Sequence, residues 1–176
     1  MALIDVVKQY FENTKYRHEF DEEKNRWVFT LRIKSSIQSG RIFVTALQHG
    51  LRVVTISPLG AMEDKRAVLA ELITKINTRR LVGGFCLDYN DGEISFKQFL
   101  PVSADVDPDY NVVRRTINLG IDELEEYGDV IAQVLFGGKS PNEALDELEK
   151  KREAEKAAKA AAEAAKAAEE EGGAVV

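Results

Sequence analysis

The most restrictive feature of this chain is a helical pattern that runs directly into a β-hairpin over residues 72–100. The apolar residues of the helix recur at the spacing that places them on one side: Val68, Leu69, Leu72, Ile73 and Ile76. Arg79 and Arg80 follow, where cations favour a helix C-terminus, and Gly83 and Gly84 supply a stop. The segment therefore predicts a helix that feeds a hairpin.

The hairpin itself is indicated by apolar residues that alternate with polar ones on both sides of a turn. Positions predicted to share one apolar face are Phe85, Leu87 and Tyr89 on the first strand and Ile94 and Phe96 on the second, with Leu100 as a further candidate. Asp91 and Gly92 lie between them and can supply the positive φ angles of a tight turn. Cys86 alternates with the apolar residues, so we expect its thiol to point away from their core.

The remaining apolar pattern predicts further elements around this unit. Residues 3–13 carry a helical stripe, and residues 16–20 alternate as a short strand. Trp27, Phe29, Leu31 and Ile33 alternate over a longer half-buried strand, which we expect in the middle of the sheet. Strands over residues 42–47 and 51–57 carry apolar groups on both faces, which indicates that the second sheet face is partly covered.

A long helix is predicted over residues 110–136, and it contains two glycines. Gly120 and Gly128 would each cost about 1 kcal/mol relative to alanine inside a helix. Close approach of the helix to the sheet would compensate for that cost. A kink or break in the helix is the alternative, and the sequence leaves both open.

The end of the chain changes composition. Residues 140–143 predict a helix start with a capping box and a proline at the first helical position, and Leu145 and Leu148 are placed to fold back onto the domain. Beyond Arg152 the chain is almost entirely Ala, Glu and Lys, with no Leu or Ile seam for a coiled coil. We predict a domain over residues 1–148 and a tail over residues 149–176 that is either a solvated helix or disordered.

Two short motifs carry a resemblance to a known family. They are Leu81-Val82-Gly83-Gly84-Phe85 followed by Asp88-Tyr89-Asn90-Asp91-Gly92-Glu93-Ile94, and later Val134-Leu135-Phe136-Gly137-Gly138-Lys139-Ser140-Pro141-Asn142-Glu143-Ala144. Over most of residues 1–148 the chain resembles the YbjN-type family, described as bacterial sensory transduction regulators. The resemblance implies a type III secretion chaperone-like fold, whose members commonly work as homodimers that bind other proteins.

The pattern and the resemblance together predict an α+β fold. Helices would pack on one face of a largely antiparallel sheet, in the order helix, strands, helix, hairpin, helix. A hydrophobic fraction of 44% is sufficient for one ordinary core in a chain of 176 residues.

Charge and cysteine content limit the classes of binding partner and the cellular compartment that we expect. The 24 basic and 30 acidic residues give a net charge of -6, which disfavours non-specific binding to nucleic acid or to an anionic membrane. No apolar run reaches the roughly 20 residues of a membrane helix, and the N-terminus lacks the features of a signal peptide. The single cysteine, Cys86, cannot form an internal disulfide, so we expect a reducing, cytoplasmic environment.

Several groupings resemble known sites without meeting their requirements. Residues 137–140 match the end of a phosphate-binding loop, but Gln133 stands where the first glycine is needed and a predicted helix precedes it. The acidic residues near Asp91 lack the glycine and the acid that a calcium loop requires at its sixth and twelfth positions. His18, His49 and Cys86 are too scattered for zinc or for nucleophilic catalysis. We therefore predict no catalytic, cofactor-binding or metal-binding residues.

The function is predicted from the second face of the sheet. The candidate protein-contact residues are Val28, Thr30, Arg32, Phe43, Thr45 and Val54. Their mixture of apolar and polar groups suits a contact surface. We predict a non-enzymatic protein-binding domain, a chaperone-like or regulatory adaptor with an unidentified protein partner, which forms a homodimer through the sheet or the central helix. Cover by the protein's own helices or loops is the alternative for this face.

Two other function classes stay open. A small-molecule-binding or enzymatic domain would use a cleft between sheet and helix, lined by His18 or Cys86. Nucleic-acid binding would use the arginine pairs Arg79, Arg80, Arg114 and Arg115. Those pairs are better explained as helix-terminal and solvated charges, so neither nucleic acid nor a membrane is an expected partner.

Overall fold

The computed structural model describes residues 2–103 and 106–172, which form helices and strands in the predicted order. The helices are α1 (Leu3–Thr14), α2 (Arg66–Asn77), α3 (Tyr110–Leu135) and α4 (Pro141–Gly172). The strands are β1 (Glu19–Asp21), β2 (Arg26–Arg32), β3 (Ser39–Leu47), β4 (Gly50–Gly60), β5 (Gly84–Leu87) and β6 (Glu93–Pro101). The prediction of an α+β fold is confirmed. Over the described residues, no helix has the length and apolar character needed to cross a membrane.

The six strands form one sheet in the order β1-β2-β3-β4-β6-β5, and each neighbouring pair is antiparallel. The expected position of β2 in mid-sheet is wrong, because only the three residues of β1 lie outside it. The hairpin of β5 and β6 instead adds two strands beyond β4, which leaves β3 and β4 at the centre.

All four helices lie on one side of this sheet, where the core is formed. The core residues on the sheet include Trp27, Phe29, Ile42, Val44, Leu51, Val53, Phe85, Ile94 and Phe96. They pack against Val7 and Tyr10 of α1, Leu69, Leu72 and Ile76 of α2, and Val113, Ile117, Leu124 and Ile131 of α3. The predicted apolar stripes of the helices and of β2 are confirmed, but Tyr89 lies beyond the end of β5 and is exposed. The strand expected over residues 16–20 is limited to Glu19–Asp21, and Tyr16 and Phe20 are exposed.

The glycines of α3 mark places where the helix passes close to the side chains of Thr55 and Ser35. A Cβ atom on Gly120 would lie 2.2 Å from the Thr55 hydroxyl oxygen, and one on Gly128 would lie 2.4 Å from the Ser35 hydroxyl oxygen. The helix continues through both positions from Tyr110 to Leu135. Close approach to the sheet side is therefore the reason for these glycines, and the alternative of a helix break is wrong.

The predicted start of α4 is confirmed in its hydrogen bonds. The backbone N–H of Ser140 donates to the Glu143 carboxylate at 2.9 Å, and the Glu143 N–H donates to the Ser140 hydroxyl oxygen at 3.3 Å. Ala144 is buried, and α4 then continues as one helix to Gly172, with exposed side chains from residue 153 to residue 163. The helix crosses the predicted domain boundary at residue 148, and residues 173–176 of the predicted tail lie outside the described residues.

Candidate protein-contact face

The side of the sheet opposite the helices carries the candidate contact residues. We call it the open face, and its central residues are Arg26, Val28, Thr30, Arg32, Arg41, Phe43, Thr45, Arg52, Val54, Ile56, Lys97 and Phe99. The strand register joins them: Val28 lies opposite Phe43, Phe43 opposite Val54, and Val54 opposite Lys97. Residues paired across an antiparallel ladder point to the same side of the sheet, so these side chains are neighbours.

All of the residues predicted from the sequence as a contact surface lie on this open face. Val28, Phe43 and Val54 form an apolar row across three neighbouring strands, with Thr30, Arg32 and Thr45 around it. Thr30 and Arg32 are exposed, and Val28, Phe43 and Thr45 are half-buried. Val54 is 9% exposed, yet it lies outside the core cluster on the other side of the sheet.

Cover by the protein's own helices or loops was the alternative for these residues, and the described helices do not provide it. The helical contacts go to the core side, where Gln98 of β6 donates from its side-chain amide to the Thr116 carbonyl of α3. The amide of Asn77 at the end of α2 donates to the Phe85 carbonyl at 2.9 Å. Within the residues that the structure describes, Val54 is screened from water by neighbouring strand side chains rather than by a helix.

Cations surround the apolar row. Arg32, Arg41, Arg52 and Lys97 are exposed, and none of them forms an ion pair with a carboxylate of the described residues. Arg26 differs, because its guanidinium lies 3.1 Å from the Asp21 carboxylate. The carboxylates on this side of the described strands are Asp21, Glu19, which is opposite Val28, and Glu93, which lines one depression with Lys97. Cations therefore outnumber carboxylates on the open face of a chain whose net charge is -6.

The ring of Phe43, at the centre of the open face, lies close to two of these cations. The guanidinium carbons of Arg26 and Arg41 lie 5.7 and 5.2 Å from the centre of the Phe43 ring, within the range of cation–π attraction. Beside this ring is a depression of about 250 Å³. It is lined by Arg26, Phe43, Thr45, Arg52, Val54, Ile56, Glu93 and Lys97.

Sequence reasoning missed part of the open face. The open-face residues that were not among the predicted contact residues are Arg26, Arg41, Arg52, Ile56, Lys97 and Phe99. A signal for four of them was present in the two-residue period of a strand. Arg26 lies two positions from Val28, Arg41 two from Phe43, and Arg52 and Ile56 each two from Val54. Lys97 needed the pairing of β4 with β6, which follows from the tertiary structure.

The two residues proposed for a cleft lie far apart. His18 immediately precedes β1 at one edge of the sheet, and Cys86 lies on β5 at the other edge, so about 24 Å of strand spacing separates them. The His18 ring packs at 4.3 Å from the Phe11 ring, and its Nδ1 lies 2.9 Å from the Tyr16 carbonyl oxygen. The two side chains cannot act in one site.

The residues that were compared with a calcium loop and with a phosphate-binding loop have local structural roles. The backbone N–H of Asn90 donates to the Asp88 carboxylate at 2.8 Å, and the N–H of Glu93 donates to the Asp91 carboxylate at 2.9 Å, which closes the hairpin turn. The Lys139 ammonium lies 2.5 Å from the Glu147 carboxylate in the segment that resembled a phosphate loop. No three potential ligands among the described His, Cys, Asp and Glu residues are grouped to hold a metal ion.

The arginine pairs considered for nucleic acid do not make one surface. Arg79 pairs with Glu149 of α4, whereas Arg80 points inward and pairs with Glu123 of α3. The side chain of Arg80 is only 16% exposed, so the prediction that it is a solvated charge is wrong. Arg114 and Arg115 are exposed near the start of α3.

Comparison with known proteins adds a family and a fold. A family model described as "YbjN: Putative bacterial sensory transduction regulator" matches residues 3–133. The chain is also similar to a crystal structure described as that of "YbjN, a putative transcription regulator from E. coli", with a TM-score of 0.51 and 12% identity over 76% of this chain and 89% of that chain. At that identity the structural likeness shows the fold alone. No curated protein matches this chain.

These matches test the predicted family and fold class but not three of the other predictions. They bear out the family and the α+β fold. The type III secretion chaperone-like description of that fold stays a prediction, as do the homodimer and the cytoplasmic location.

Proposed function

The chain belongs to the YbjN family, and from this premise we propose that it is a regulatory adaptor that binds another protein through its open face. The family description names a regulator, which fits a domain that acts by contact rather than by catalysis. The described fold supports this proposal with an uncovered sheet face and with a core that fills the space between the sheet and the helices.

The observation that carries the proposal is the apolar row Val28, Phe43 and Val54 on a face that no described helix covers. Contiguous apolar groups bordered by polar residues mark protein interaction sites on soluble domains. Arginine and aromatic residues are enriched at the centres of such interfaces, and here Phe43 is part of the row and Arg41 adjoins it. A partner could cover the row while the cations set its orientation.

A small-molecule or enzymatic function receives less support. It required a cleft between sheet and helix, but Phe96, Ile117 and Leu124 are fully buried there. His18 lines an open depression of about 530 Å³ at the β1 edge, away from the helices and from Cys86. No observation favours this second function enough to propose it.

Site-specific crosslinking in host cells tests the proposal. A photoreactive amino acid at Thr45 of the open face should give a discrete adduct with another protein, and the substitution Phe43→Ala should weaken that adduct. The matched control carries the same photoreactive residue at Lys156, which is exposed on α4. If Thr45 gives no adduct, or gives the same adducts as Lys156, the open face is not the contact surface.

A further inference from the structure

We propose that the partner segment on the open face is an acidic, amphipathic stretch of protein in which carboxylates flank an apolar residue. This inference rests on the proposed function and names the chemistry of the partner. It follows from the charges on the face, from their spacing relative to the apolar row, and from the poor fit of other occupants.

Cations outnumber the carboxylates Glu19, Asp21 and Glu93 on the open face, whereas the whole chain is acidic. Arg41, Arg52 and Lys97 are exposed and have no ion-pair partner among the described carboxylates, although acidic residues outnumber basic ones, 30 to 24. Opposite charges speed encounter between proteins and suppress wrong partners. An acidic segment would complement this face, whereas a basic segment would be repelled by it.

Two of these cations, Arg41 and Arg52, lie at opposite ends of the central apolar pair Phe43 and Val54. Phe43 is opposite Val54, Arg41 is opposite Ile56, and Arg52 is opposite Thr45. Arg41 and Arg52 are therefore separated by four residue steps along the strand direction, about 13 Å, with the apolar pair midway between them. An extended segment has the same spacing between residues i and i+4. Carboxylates at those positions would meet the two arginines, and an apolar residue at i+2 would lie on Phe43 and Val54.

Single-stranded nucleic acid fits this surface less well. Nucleic-acid platforms need aromatic rings that are free to stack on bases. The Phe43 ring already lies near the guanidinium groups of Arg26 and Arg41, and Phe99, 49% exposed, is the other aromatic residue at the centre of the face. The surrounding apolar residues, Val54 and Ile56, offer aliphatic contact rather than stacking.

A second copy of the chain also fits poorly when the two open faces meet. In such a pairing the cations of one copy, among them Arg41 and Arg52, would approach the cations of the other. Like charges placed opposite one another are destabilising. The predicted homodimer is therefore better sought elsewhere on the molecule, and self-association through this face becomes an outcome that the test must detect.

Binding of a defined peptide to the full-length chain tests the inference. The probe is a fluorescent synthetic peptide that repeats Glu-Ser-Leu-Ser, and it is compared with the same peptide carrying Lys for Glu and with an oligothymidine of similar length. We expect the Glu peptide alone to bind, with an affinity that falls as salt is added. The combined substitution Arg41→Glu and Arg52→Glu should weaken its binding at least about tenfold.

The matched control changes the net charge by the same amount elsewhere. Lys150→Glu combined with Lys156→Glu alters exposed residues of α4 and should leave the affinity within about twofold of the parent. Unchanged thermal unfolding of both double variants shows that folding is intact. Equal losses in the two variants would overturn the inference, since only overall charge would then matter.

The remaining outcomes separate this inference from the proposed function. Preferential binding of oligothymidine or of the Lys peptide would overturn the acidic partner. A sedimentation mass above 19.6 kDa that returns to this value in the Arg41→Glu, Arg52→Glu variant would identify a second copy as the occupant and would also overturn it. If no peptide binds while the Thr45 crosslink gives a specific adduct, the protein-binding function stands and the acidic segment is wrong. If both experiments fail, both proposals are wrong.

Discussion

Arg80 forms an ion pair with Glu123 inside the domain, where the loop after α2 meets the middle of α3. The two side chains are 16% and 5% exposed. The Arg80 guanidinium carbon also lies 5.7 Å from the centre of the Phe96 ring and 5.5 Å from that of the Tyr127 ring. One arginine thus joins the loop after α2 to β6 and α3 through charge and cation–π contacts.

Removing one member of this pair should be costly. We expect Arg80→Ala to reduce the free energy of unfolding by about 3 to 5 kcal/mol, because it leaves the Glu123 carboxylate buried without its counter-charge. Arg79→Ala is the matched control, since Arg79 pairs with Glu149 while 63% exposed, and it should cost far less than Arg80→Ala. Urea unfolding measures both, and equal losses would contradict the buried role of Arg80.

Two aromatic core residues should dominate packing on the helical side of the sheet. Trp27 is 2% exposed and Phe96 is fully buried, so we expect Trp27→Ala and Phe96→Ala each to destabilise by about 3 to 5 kcal/mol. Phe99 lies on the same strand as Phe96 but is 49% exposed, and Phe99→Ala should cost far less. Denaturant midpoints that move equally for Phe96 and Phe99 would show that the faces are wrongly assigned.

The close approach of α3 to the sheet predicts an unusual response to alanine. Gly120→Ala would ordinarily stabilise a helix by about 1 kcal/mol, but its Cβ would lie 2.2 Å from the Thr55 hydroxyl oxygen and 2.8 Å from the Thr55 Cβ. We expect a net loss of about 1 to 3 kcal/mol from this overpacking. Thermal unfolding should show the loss.

A second substitution checks the cause of that loss. Thr55→Ala in the Gly120→Ala background removes the nearest atom and should restore part of the stability. Glu125→Ala, at an exposed position of the same helix, should stay within about 0.5 kcal/mol of the parent. An increase in stability from Gly120→Ala alone would refute the close contact.

The stability should depend on Asp129 at acid pH. The hydroxyl and the backbone N–H of Ser36 donate to its carboxylate at 2.7 and 2.8 Å, and these hydrogen bonds lower the pKa of Asp129. A carboxyl group with a lowered folded-state pKa stabilises the fold above its unfolded pKa of about 3.9, and the stabilisation is lost as pH falls through the folded value. Asp129→Asn should therefore differ most from the parent near neutral pH.

Chemical unfolding at a series of pH values measures this dependence. The difference in unfolding free energy between the parent and Asp129→Asn should shrink as the pH falls below about 4. Asp146→Asn, at an exposed position of α4, serves as the control and should show a smaller difference throughout. A difference for Asp129→Asn that stays constant down to the acid transition would contradict the role of the Ser36 hydrogen bonds.

The last part of α4 should be dispensable for folding. The described contacts of α4 with the domain reach as far as Arg152, which donates to the Tyr127 hydroxyl at 3.3 Å. Deleting residues 153–176 should lower the melting temperature by less than about 4 °C, the shift that about 1 kcal/mol produces. Deleting residues 141–176 also removes buried Ala144 and the packed residues Leu145 and Leu148, and should lower it much further. A large fall in melting temperature on deletion of residues 153–176 would show that the tail packs against the domain.

The residues of the open face could be read largely from local alternation. Val28 and Thr30 alternate with Trp27, Phe29 and Leu31 along the chain. A strand that buries Trp27, Phe29 and Leu31 on one side therefore presents Val28 and Thr30 on the other. Phe43 and Val54 lie on the same face because β3 and β4 pair as a hairpin. The face could therefore be predicted without knowledge of the whole sheet.

The sequence by itself determined the elements and their apolar sides, because helical and strand periodicity depend on residues that are close along the chain. The helix stop after α2, the β5–β6 turn and the capping box at Ser140 are local for the same reason. Tertiary structure alone decided that β6 lies beside β4, that Arg80 meets Glu123, and that the described helices leave the open face uncovered. Each of these depends on residues far apart in sequence, whose contact is fixed by packing the whole core and not by any local pattern.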